Sequence, residues 1–192
     1  RLINEKGVHA VKTTTAAVKS CTIPSQSAIY DRLNAVDYWD AYRLGNVSTQ
    51  LKALEIYIHM VNQTAVWINA LLSLRNKITT LFGLKDVGNL GGLTYSKADE
   101  TPYAVGDKLD LFHIEQLDDD EVVLMLNDSH VDIKISLLKE TQQHKTSIYL
   151  STMVKYNNTL GKMYMRSIMP FHKIVVRSLL KNVKRSFAEC AK

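Results

Sequence analysis

The spacing of apolar and polar positions along the chain changes period twice. The run Asp37-Tyr38-Trp39-Asp40-Ala41-Tyr42-Arg43-Leu44 is aromatic-rich, partly alternating and bounded by Gly45-Asn46, which predicts a strand. Ser48 then stands as an N-cap for a helix over roughly residues 49–60. Val61, Ala65, Ile68, Leu71, Leu72, Ile78 and Phe82 keep close to a helical period and predict a second helix. Gly83 follows as a left-handed C-terminal cap. From Lys108 the period becomes two. Residues 109–116, 121–126, 131–140 and 145–155 read as strands of an antiparallel meander, with hairpin turns at 127–130 and 141–144.

The last segment returns to helix, with Leu160, Tyr164, Ile168, Phe171, Val175 and Leu179 on one face. Pro170 sits inside that pattern and removes one backbone hydrogen bond, so a kink or break is expected near Met169. Upstream, residues 8–18 have weak strand character, and the polar run after Pro24 predicts a brief helix or turn. The order is strand, two helices, antiparallel strands, then a long amphipathic helix. A curved antiparallel sheet needs a cover for its apolar face, and the terminal helix carries the largest apolar stripe. The expected fold is α+β, a curved sheet packed on a long C-terminal helix, which is the helix-grip arrangement.

Composition narrows the class. The chain has 192 residues and 46% hydrophobic positions, enough to bury a core as one domain over 1–192. Two cysteines, Cys21 and Cys190, exclude a disulfide framework and a four-thiolate zinc site within one chain. The first residues lack the apolar core of a secretory signal. The longest stretch without charge, residues 56–74, carries His59, Asn62, Gln63 and Asn69 and is too polar to span a bilayer. A cytoplasmic location is expected. The net charge of +5 is uneven: residues 155–192 hold nine positive side chains and one negative, Glu189. The acidic run Asp118-Asp119-Asp120-Glu121 reads as a solvated turn rather than a calcium loop. The Gly88–Gly92 stretch follows a helix and opens none, which argues against a nucleotide-binding loop.

Several stretches, taken in order, resemble a bacterial family called domain of unknown function 2867. They are Asp37-Tyr38-Trp39-Asp40-Ala41-Tyr42-Arg43, the run 67–76 from Trp67 to Asn76, Phe82-Gly83-Leu84-Lys85, and Asp128-Ser129-His130-Val131-Asp132. Asn158-Thr159-Leu160-Gly161-Lys162-Met163-Tyr164 and the run 170–177 from Pro170 to Arg177 complete the set. The resemblance covers residues 24–180. An Arg and a His usual in the family are replaced here by Ser129 and Asn157. The family implies no reaction, though related domains fused to epimerase-like Rossmann domains point to small organic molecules. The chain is also similar to START-like and Bet v 1-like proteins, which agrees with the element order.

Asp128, His130 and Asp132 form the most suggestive polar cluster, since a carboxylate beside an imidazole can orient a general base. The apolar partners Val131, Ile133, Ile135 and Leu137 mark the other face of that strand, so a surface His and a hairpin Asp explain the same residues. His172 can reach the sheet and bond a strand residue or contact a ligand. Arg75 can pair with a carboxylate such as Asp40, or hold an anionic ligand group. Trp39, Trp67 and Tyr164 are core anchors that in a helix-grip fold also line the cavity. Phe171 is expected to be buried against the sheet, and Val154 to face the helix. The basic helix face reads as solvated rather than as a nucleic-acid or membrane surface.

The reading that follows is a protein binding a small apolar or amphipathic molecule between sheet and C-terminal helix, with no cofactor and no metal. Trp39, Trp67, Arg75, His130, Tyr164, Phe171 and His172 are its expected contacts. No nucleic acid and no stable membrane insertion is expected, and a homodimer is left open. One alternative is an enzyme on a small organic substrate with His130, Asp132 and Arg75 at its site. Another is an interaction module without a cavity. A closed apolar cavity above roughly 300 Å³ separates the first from the last.

Overall fold

The structure, a computed structural model of the chain, describes residues 17–62, 103–109, 111–143 and 145–189, with side chains described through 183. Seven strands form one antiparallel sheet: β1 (Val18–Cys21), β2 (Tyr38–Val47), β3 (Lys108–Leu109), β4 (Phe112–Leu117), β5 (Glu121–Asn127), β6 (Val131–Gln142) and β7 (Lys145–Tyr156). Their spatial order is β1-β2-β7-β6-β5-β4-β3. Helix α1 (Ala53–Asn62) and helix α2 (Thr159–Glu189) complete the described elements, with a 3-10 helix at Tyr30–Ala35. The predicted helix from Val61 to Phe82 beyond residue 62, its Gly83 cap, the Gly88–Gly92 stretch and Cys190 lie outside the described residues, as do residues 8–16; β1 begins at Val18, the last residue of the 8–18 stretch.

The period of two sorts the strand residues cleanly between two faces. On the inner face Tyr42 opposes Leu150 and Leu44 opposes Ile148, while Ile133 and Ile135 of β6 oppose Val154 and Thr152 of β7. Val122 and Leu124 of β5 extend this face, and α1 and α2 close over it with Ile56, Met60, Val176, Leu180 and Val183. This is the main core. The sheet with its C-terminal helix cover is the α+β architecture expected from the element order.

The outer face has its own cover. Ala41, Ser151 and Ser136 lie side by side across β2, β7 and β6. Their small side chains let the 22–36 segment approach the sheet, so that Ile23 and Ile29 pack on Ala41, Val123 and Met153. A buried carboxylate ties this segment down. Glu121 accepts from Ser27 Oγ at 2.6 Å, Ser136 Oγ at 2.6 Å and the Ala28 backbone nitrogen at 2.9 Å. Three donors to one buried carboxylate are what its desolvation requires. Glu121 is therefore not part of a solvated turn, a correction to the sequence reading. The other three acidic residues do form the β4–β5 turn.

That turn also moves the start of α1. The Ala53 nitrogen donates to the Asp119 carbonyl at 2.9 Å, and Glu55 accepts from the Lys52 nitrogen at 2.7 Å. The Glu55 contact is half of a capping box, with Lys52 as N-cap. The helix begins at Ala53, not near Thr49 as the Ser48 signal suggested. Two turn carboxylates are paired as well, Asp119 with Lys52 at 2.9 Å and Asp120 with Lys139 at 3.1 Å. At the far end of the chain α2 runs through Pro170 as one element, so the expected break is absent.

Candidate functional site

A cavity of about 250 Å³ lies between the inner face and α2. Its walls are mainly apolar: Leu126, Ile133 and Val154 from the sheet, Met60 from α1, and Met165 and Ile168 from α2. The volume falls somewhat short of the roughly 300 Å³ at which ordinary ligand pockets begin. An apolar cavity of about 150 Å³ already admits benzene, so this one has room for roughly ten heavy atoms.

Polar groups meet at one side of it. His172 of α2 lines the cavity, and its Nε2 lies 3.2 Å from Asp40 Oδ1 of β2. The Tyr38 hydroxyl donates to Asp40 Oδ2 at 2.8 Å. Strand alternation brings these together: Tyr38, Asp40 and Tyr42 are two residues apart and share the inner face, opposite Val154, Thr152 and Leu150. Arg177, one helical turn and a residue beyond His172, lays its guanidinium 5.2 Å from the centre of the Tyr42 ring.

Asp40 and His172 are mostly buried, with side chains 11% and 24% exposed. Burial alone would raise the Asp40 carboxyl, but the His172 contact, followed by the Tyr38 and Tyr42 hydroxyls, outweighs it and holds the group below the usual carboxylate range. The Tyr38 hydroxyl is pushed up, by burial first and then by its bond to the same carboxylate, so it stays a donor. An ionised carboxylate can only accept, and the hydrogen on the His172 side of the pair is therefore on Nε2.

Of the residues singled out from the sequence, Tyr164, Phe171 and His172 line the cavity, and Val154 faces it. Trp67 and Arg75 lie outside the described residues. Trp39 opposes Met153 on the outer face and is 39% exposed, so it is turned away from the cavity. Phe171 is 38% exposed and sits on the cavity wall rather than being buried against the sheet, which corrects that expectation.

His130 does other work. The backbone nitrogen of Asn157 donates to the His130 carbonyl at 2.9 Å, and Asn158 Nδ2 lies 3.0 Å from His130 Nδ1. Asn158 Oδ1 also accepts from the Gly161 nitrogen at 2.9 Å, the N-cap bond of α2. Asp132 is bonded by Asn157 Nδ2 at 3.1 Å. A Cβ on Gly161 would meet the His130 carbonyl oxygen at 2.0 Å, so only glycine permits this approach. The two sequence motifs around 128–132 and 158–164 thus form one joint that fixes the helix over the sheet. Neither His130 nor Asp132 reaches the cavity wall.

Asp40 was legible only as a partner for Arg75. The signal for more was present: Tyr-x-Asp-x-Tyr-x-Leu puts one carboxylate on an otherwise apolar strand face. Among the described residues no group of His, Cys, Asp and Glu is arranged to hold a metal ion, and no helix is long and apolar enough to cross a membrane.

No curated protein and no solved structure matches the chain. The model of one family, described as protein of unknown function (DUF2867), matches residues 32–179. That span holds β2, α1, the meander and the cavity-lining part of α2, and the chain belongs to this family.

Proposed function

We propose that the chain binds a small, largely apolar molecule in the cavity between the sheet and α2. The observation that carries this reading is a partly open, mainly apolar space of about 250 Å³ between the inner face and α2. Water has few partners there, whereas an apolar guest regains contacts along the whole wall. The likeness in arrangement to helix-grip proteins of the START type supports the same placement of a ligand. The enzyme reading built on His130 and Asp132 loses its geometry, because both are engaged in the joint below α2.

The test is binding of an environment-sensitive apolar dye to the native protein. One dye per chain is expected, with loss of binding in Val154→Trp and Ile168→Trp, which fill the cavity from the sheet and from the helix. Dye fluorescence that rises only as the protein unfolds refutes the reading.

A further inference from the structure

The cavity is not apolar all round: among the described residues one imidazole, His172, lies on its wall. Nε2 of His172 is committed to Asp40 at 3.2 Å. Asp40 is in turn fixed by Tyr38 at 2.8 Å, with Tyr42 and its overlying Arg177 beside it. Among the described residues no side chain or backbone group is bonded to His172 Nδ1. With hydrogen on Nε2, the neutral ring offers Nδ1 as an acceptor. A carboxylate on the far nitrogen fixes the ring orientation. One aspartate and two tyrosines thus orient an imidazole that borders a mainly apolar space.

We propose that the cavity selects apolar molecules carrying one hydroxyl donor, of the phenol class, and that His172 Nδ1 accepts the hydrogen bond from that hydroxyl. This rests on the ligand-binding reading above. A hydroxyl finds an acceptor in the imidazole on a wall whose other described polar side chains are those of Tyr57, Thr152 and Tyr164. Size agrees. A phenol with a short alkyl chain has about ten heavy atoms, the content estimated from the volume.

The experiment compares para-propylphenol, para-propylanisole and propylbenzene by calorimetry, at a pH above the ordinary histidine range. The phenol is expected to bind roughly tenfold more tightly than the ether and the hydrocarbon, the scale of one buried hydrogen bond. The preference should vanish in His172→Phe while propylbenzene still binds. Because that change strips Asp40 of its partner, the pair Asp40→Asn with His172→Phe serves as the second variant. Nitrogen NMR of the histidine-labelled parent protein needs no substitution: it should show hydrogen on Nε2 of His172, and a shift of Nδ1 when the phenol is added. Equal binding of all three probes overturns the hydroxyl proposal and leaves the cavity reading standing. Failure of all three to bind overturns both. A phenol preference that survives in both variants, or hydrogen on Nδ1 in the parent protein, overturns the role of His172.

Discussion

Asp40 brings one negative charge onto a face of β2 built otherwise of Tyr, Leu and Val side chains, and its surroundings set how stability depends on pH. Its carboxyl is held below the ordinary value in the folded state. The stability it contributes is therefore fully present above the ordinary aspartate range and is lost as pH falls through the lower, folded value. Urea unfolding across acid pH should show that loss in the parent protein and less of it in Asp40→Asn. Gly161 gives a sharper case. Since a Cβ there meets a backbone carbonyl, Gly161→Ala must shift α2 away from the β5–β6 turn, at a cost of about 1–3 kcal/mol. Asn158→Ala should lose about 1 kcal/mol through the cap alone. Denaturant midpoints check both, and a Gly161→Ala protein as stable as its parent would remove the joint. At this scale the sequence was partly readable. His172 reaching a strand residue followed from its place on the helix, whereas its partner Asp40 lies 132 positions away and no local pattern connects them.

Helix α2 serves as both roof and wall. Its inward residues Val176, Leu180 and Val183 are core, while Met163 and Ile174 remain more than half exposed. Phe171 lies between these groups at 38% exposure. Phe171→Ala should accordingly cost about 1–2 kcal/mol, well below the 3–5 of a fully buried phenylalanine. The basic residues of the same helix differ among themselves. Lys173 and Lys181 are exposed and carry no ion pair among the described residues, so changing both to Gln should leave the midpoint within roughly 0.5 kcal/mol of the parent. Arg177 packs on Tyr42, and its replacement should be felt. Helices α1 and α2 and the meander were legible because hydrophobic period reports which face is buried. The start of α1 was not, since the carbonyl that receives its first amide belongs to the distant β4–β5 turn.

For the whole molecule, pattern gave the layers, while pairing across long separations stayed hidden. Nothing local says that β2 inserts beside β7 rather than beside β1 alone, or that the 22–36 segment returns to cover the outer face. That strand order has a kinetic side. The hairpins from β4 to β7 each close short loops, whereas Tyr42 meets Leu150 only after closing a loop of roughly a hundred residues, an entropic cost about 3 kcal/mol greater. Pairings of this span are slow to form. Pulse-labelled hydrogen exchange during refolding should therefore protect amides of β5, β6 and the meander side of β7 before those of β2. Asp40 travels with β2 and His172 with α2, so the pair beside the cavity can assemble only after β2 has docked on β7. A chain folded only as far as the meander would lack the imidazole's anchor, and selectivity for a ligand's hydroxyl would arrive after the apolar surface of the sheet.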